Sequence, residues 1–266
     1  MLAKLFFGAA NLEKSRSTRI KILVVYMKSV GLIHMILSLM LALGFVLKAN
    51  AHLETTIDLC HRGKIGEVII KQLQLSSCHN VPQEKLSSLL HLDLSDKDLK
   101  ELSLNSFENL NSLESLDLSH NAIEILPEGI FRPLTHLKEL YLNDNKITWL
   151  DIEMFHGLEN LLWLDLSFNE LSKFISFPFQ NLRHLKGLEL DYNSIREINY
   201  NLLSGMISLE NLNLSYNTIK DIPPNTFGAL NALKDLDLQG NYFDKISRQR
   251  SGLSPLVRVN GVFVLD

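Results

Sequence analysis

The stretch Leu113-Glu114-Ser115-Leu116-Asp117-Leu118-Ser119-His120-Asn121-Ala122-Ile123 decides how the rest of the chain is read. Leu116 and Leu118 alternate with Ser115, Asp117 and Ser119, and a period of two marks a strand with one buried face. The same spacing recurs every 24 residues. Its first leucine stands at Leu89, Leu113, Leu137, Leu161, Leu185, Leu209 and Leu233; the second runs from Leu92 to Leu236 and the third from Leu94 to Leu238. The asparagine follows as Asn121, Asn145, Asn169, Asn193, Asn217 and Asn241, with Lys97 in its place in the first copy. Leu99, Ile123, Ile147, Leu171, Ile195, Ile219 and Phe243 close the pattern. Such a step leaves too little chain for a hairpin return plus a helix of ordinary length, so successive strands are expected to stack in parallel. The asparagine falls where the chain leaves the strand, and its amide is suited to backbone groups that have no ladder partner there.

Two further apolar columns keep the step. Phe107, Phe131, Phe155, Phe179 and Phe227, with Leu203 as the exception, are expected to form a packing spine and not a ligand box. Leu102, Leu126, Leu150, Phe174, Ile198, Ile222 and Ile246 fill the same half of the core. One such coil cannot offset the entropy of ordering its own backbone, so neighbours must bury its flanks. A weaker copy without the asparagine, Ile65, Val68, Ile70, Leu73 and Leu75, is read as a degenerate first repeat.

With this motif the chain resembles the 24-residue type of extracellular leucine-rich repeat, similar to Toll-like receptor ectodomains and insect leucine-rich immune proteins, over about residues 60–250. The resemblance implies an α/β, mostly β, solenoid: a curved horseshoe with a parallel β-sheet on the concave face. It implies a protein-binding module of innate immunity, adhesion or signalling. The four-cysteine amino-terminal cap common in such relatives is absent. Cys60 and Cys78 are the only cysteines, and Cys78 falls at a core slot of the weak first repeat. One disulfide pinning the entering chain is the expectation. Cys60-His61 and Cys78-His79 invite a zinc reading, but their spacing matches no familiar zinc module, so no metal is assigned. At the other end Leu256–Val259 and Val262–Leu265 flank Asn260-Gly261, a strong hairpin signal. The stretch 253–266 is therefore expected to close the stack as a capping hairpin after seven repeats over 89–252.

The amino-terminal part sets the compartment. Val30–Leu47 is an almost wholly apolar run of 18 residues, followed by Ala49-x-Ala51. That pattern fits a signal peptide starting at Met27 and cleaved after Ala51, with an upstream extension completing residues 1–51. The alternative is an uncleaved anchor, with Lys14, Arg16, Arg19, Lys21 and Lys28 holding the amino terminus in the cytosol. Both readings place the cap over 52–88 and everything beyond it outside the cytosol, secreted or at the cell surface anchored by residues 30–47. Membrane contact is expected only if this segment is retained. From His52 onward the chain holds 29 acidic against 19 basic residues. That balance disfavours nucleic acid and acidic lipid.

Outward-facing strand positions should line the concave wall. They carry an acidic column and a run of aromatics, the residue types of interface hot spots. Tyr141, Trp163, Asp165, Phe168, Glu189, Tyr192 and Tyr216 are the candidate partner-binding residues, for a protein ligand with a basic surface. The alternative is that Asp and Ser of the recurring Leu-Asp-Leu-Ser are polar filler. Glu189 and Asp191 are read as open surface positions without a pocket to shift their acidity. Asn213-Leu214-Ser215 is an N-glycosylation sequon on the same wall, or a chance one; a glycan there would crowd Tyr216. His91, His120, His136, His156 and His184 fall at unrelated offsets, and Gly-x-Ser-x-Gly, His-Glu-x-x-His and P-loop motifs are absent. The expectation is a binding protein without catalytic residues or cofactor. Its alternatives are a self-associating matrix component and a membrane-anchored receptor ectodomain.

Overall fold

The computed structural model describes residues 56–266. The apolar run 30–47, the Ala49-x-Ala51 motif and Met27 lie outside the described residues. Among the described residues no helix is long and apolar enough to cross a membrane.

The described chain enters through β1 (Thr56–Ile57), helix α1 (Gly63–Gln72), β2 (Val81–Pro82) and helix α2 (Gln83–Ser87). The coils follow as β3 (His91–Asp93), β4 (Ser115–Asp117), β5 (Glu139–Tyr141), β6 (Trp149–Asp151), β7 (Trp163–Asp165), β8 (Lys173–Ile175) and β9 (Gly187–Glu189). Helix α3 (Tyr200–Leu203), β10 (Asn211–Asn213), β11 (Asp235–Asp237), β12 (Lys245–Ser247), α4 (Arg248–Ser251), β13 (Arg258–Asn260) and β14 (Phe263–Leu265) complete them. One eight-stranded sheet runs β3-β4-β5-β7-β9-β10-β11-β13, parallel throughout. From β3 to β11 each pairing joins residues 24 apart, such as Leu92 with Leu116 and Leu188 with Leu212. Just past each strand the Leu94 N–H donates to the Asp117 carbonyl at 2.8 Å, and the Leu118, Leu142, Leu166, Leu190 and Leu214 amides repeat that bond.

Asparagine does what its position asks. The Asn193 amide donates to the carbonyls of Leu166 (2.9 Å), Leu190 (3.2 Å) and Asp191 (3.1 Å), and its Oδ1 accepts from the Leu171 N–H at 2.9 Å. One side chain thus satisfies its own turn and the preceding coil. Asn121, Asn145, Asn169 and Asn217 make the same set. On the opposite side of each coil the rings of Phe107, Phe131, Phe155 and Phe179 are buried and stack at 5.9, 6.4 and 5.9 Å.

Both ends differ from the sequence reading. Residues 63–72, expected to begin a degenerate repeat, are helical: Ile65 and Ile69 sit one turn apart and are buried. Their spacing suits a helix face as well as a strand, and no asparagine seals a turn there. A helix also satisfies its own backbone, which the first position of a ladder cannot do on its outer edge. Cys60 and Cys78 form the expected disulfide. Buried Arg62 anchors the cap on the first coil by donating to the carbonyls of Glu108 (2.9 Å) and Ser106 (3.4 Å).

At the far end no hairpin forms. β13 pairs in parallel with β11, and β14 in parallel with β12, so 253–266 builds an eighth coil with its register shortened by one, Asp235 opposite Arg258. A type I′ turn needs positive φ at both central residues. Only Gly261 of the Asn-Gly pair has it, at 82°. Gly261 instead permits close approach: a Cβ there would lie 2.2 Å from the Gln239 Cα. The open edge of β11 offered a ladder that the local turn signal could not outweigh.

Candidate functional site

Alternation puts Leu92, Leu116, Leu140, Leu164, Leu188, Leu212 and Leu236 inside the stack and their neighbours on the outer wall of the sheet. The acidic column on that wall has a local duty. Asp117 and Asp165 each accept from the N–H and hydroxyl of the serine two residues on, at 2.6–2.9 Å. Asn213 does the same for Ser215 at 3.0 and 2.8 Å. Leu-Asp-Leu-Ser is therefore a lock on the strand exit and not filler.

Three residues further along each coil the backbone turns left-handed, at Asp96, His120, Asp144, Phe168, Tyr192, Tyr216 and Gly240. Asp and Gly tolerate that region; bulky aromatics rarely enter it. Phe168, Tyr192 and Tyr216 hold it at φ 51°, 50° and 50°. Their rings stack face to face, with centroids 4.4 Å apart in both pairs and interplanar angles of 10° and 13°. The slab remains 47%, 44% and 42% exposed. Stacking worth about 0.5–1.5 kcal/mol per pair offsets part of a left-handed penalty of about 1–2 kcal/mol per residue. Gly240 ends the column because Tyr216 leans over it: a Cβ there would meet Cδ1 at 2.7 Å.

Asp165, Glu189 and Asp237 stand on strands three residues before Phe168, Tyr192 and Gly240, and Asp191 directly precedes Tyr192. Burial pushes the Glu189 carboxyl above its usual range; the nearby Asn213 side chain opposes this, and the charges of Asp191, Asp165 and Asp237 add to it. Burial likewise raises Asp191, aided by Asp165 and Asp237.

The leucine rich repeat family model matches residues 121–171, 171–219 and 183–243. The chain carries leucine-rich repeats over residues 121–243. Its fold is similar to that of an internalin from Listeria monocytogenes, at 21% identity and a TM-score of 0.54, over 79% of this chain and 67% of that one. No curated protein matches it by sequence.

Within this leucine-rich-repeat wall the seven sequence-derived residues divide. Phe168, Tyr192 and Tyr216 form one slab, and Asp165 and Glu189 adjoin each other electrostatically. Trp163 lies apart from the slab, its ring flat over Gly187, where a Cβ would come within 2.2 Å of Cε3 and Cζ3. Half-buried Tyr141 sits among Glu139, Asp117 and Asp165; burial and those carboxylates raise its phenol. Glu189 and Asp191, read from sequence as ordinary surface acids, are not ordinary. Gly187 and Gly240 were missed as site residues, although a signal existed: each stands 24 residues after an aromatic in its own column.

Proposed function

We propose that this protein is an extracellular recognition module that holds a protein partner against its concave wall. The observation carrying the reading is the exposed Phe168–Tyr192–Tyr216 slab, three large apolar rings kept at the surface in a backbone conformation they disfavour. Exposed aromatics of this kind are what interfaces bury at their centre. The repeat family is one of interaction modules, which supports binding over catalysis. Trp163 and Tyr141 are further aromatic residues of the same wall, outside the slab. Ala49-x-Ala51 and the Cys60–Cys78 disulfide support an oxidising, extracellular compartment.

A photo-crosslinking residue at position 192, compared with one at exposed Asn201 on the return side, tests this on protein made by cells expressing the full chain. Adducts with another protein at 192 and none at 201 support the reading. Equal adducts at both, or none, overturn it. A self-associating role has its own observation: Leu256 and Phe263 on the last coil are 88% and 78% exposed. Sedimentation across a concentration range decides that reading, and a strict monomer rejects it.

A further inference from the structure

We propose that the Phe168–Tyr192–Tyr216 slab is the seat for a basic segment of the partner, whose arginine stems lie along the rings while their guanidinium groups reach Asp165, Glu189, Asp191 and Asp237. The inference rests on the reading of the concave wall given above and adds the chemistry of its occupant.

The slab's own geometry limits what it takes. Its inner ring faces are already covered by one another at 4.4 Å, and the Tyr216 ring leans on Gly240. Apart from the outer face of Phe168, what remains open is a ridge of ring edges and the two phenol groups. A flat aromatic ligand would find little free face. An aliphatic stem fits such a ridge, and a stem carrying charge at its tip fits best when acids stand alongside.

Those acids lack cations of their own. Some carboxylates elsewhere are paired across coils: Glu114 with Lys138 at 2.8 Å, Glu210 with Lys234, and Asp235 with Arg258 at 2.6 Å. Among the described residues, Asp165, Glu189, Asp191 and Asp237 have no lysine, arginine or histidine within 4.0 Å. Uncompensated negative charge beside the one exposed aromatic ridge of this wall is complementary to a cation on an apolar stem. Arginine is favoured over lysine because its planar fork matches carboxylate pairs, and its weaker hydration lowers the cost of seating it on apolar surface.

The test titrates fluorescent octa-arginine into protein recovered from cells expressing the full chain, with octa-citrulline as the uncharged isostere. Octa-arginine is expected to bind at least about tenfold more tightly than octa-citrulline. Glu189→Gln with Asp191→Asn should weaken it about tenfold or more. Asp93→Asn with Asp117→Asn removes the same charge from earlier coils, keeps the serine lock as Asn213 does, and should change binding less than about twofold. Tyr192→Asn, compatible with the left-handed backbone, should weaken binding about fivefold. Should a variant fail to fold, hydroxyl-radical protection of Phe168, Tyr192 and Tyr216 by octa-arginine on the unaltered protein reads the same contact. Equal losses in the two charge variants, equal binding of the two peptides, or no protection of the slab overturns the proposal. Crosslinks at position 192 with no arginine selectivity would leave the concave reading intact and remove only its cationic occupant.

Discussion

Glu189 shows how a single residue trades stability for surface chemistry. Its carboxyl is raised in the fold, chiefly by burial and further by Asp191, Asp165 and Asp237. A raised carboxyl contributes stability that is fully present below the unfolded value and is lost as pH rises through the folded one. At neutral pH the ionised form therefore costs stability. Glu189→Gln should melt at higher temperature than the parent at about pH 7, with the advantage fading toward about pH 4. Thermal melts across that range check it, and a variant less stable at every pH would contradict it. Asn213 is the second residue whose role the structure reshapes. Its side chain accepts from Ser215, and its proximity lowers the Glu189 carboxyl against the effect of burial. A glycan there would project among Glu189, Asp237 and Tyr216, on the proposed seat. The sequon should be empty: glycosidase treatment of protein recovered from cells expressing the full chain should leave its mass unchanged. The sequon was legible in the sequence. Its alternative cause was legible too, since Asn213 simply occupies the aspartate slot of Asp165 and Asp237. The acidity of Glu189 was not legible, because it depends on how closely adjacent coils cover one another and not on position along the chain.

At the scale of the element, the coil is a short strand closed by an asparagine. Asn193→Ala would take one donor from the carbonyls of Leu166, Leu190 and Asp191, which keep Asn169, Asn217 and Phe168 as donors, and would leave the Leu171 N–H unpaired inside the stack. A buried unpaired group costs about 1–3 kcal/mol, so the variant should lose at least about 1 kcal/mol in urea unfolding. A loss below about 0.5 kcal/mol would mean the ladder is not structural. Strands, asparagine ladder and phenylalanine spine could all be read in advance because each follows one period set by side-chain direction. The terminal elements could not. Ile65-to-Leu75 fits both a strand pattern and a helix face, and Asn260-Gly261 is a turn signal only where no better partner edge is at hand. In both places the deciding term is the neighbouring coil, which a local window of sequence does not contain.

For the whole described unit, energy is passed from coil to coil, so the first coil depends on its cap. The Cys60–Cys78 bridge spans 18 residues, and closing a loop of that size stabilises by about 3 kcal/mol. Reduction should therefore speed amide exchange in β3 and β4 well before β9 and β10; uniform loosening would contradict a stack of semi-independent coils. The central claim is that position within the 24-residue period decides whether a side chain lies in the core or on the outer wall of the sheet. The aromatic residues test it most directly, since two columns of similar chemistry have opposite fates. Hydroxyl-radical footprinting of the folded protein should oxidise Phe168, Tyr192 and Tyr216 and spare Phe107, Phe131, Phe155 and Phe179. Comparable oxidation of the two columns would show that the coils do not stack as described and that the concave wall does not exist.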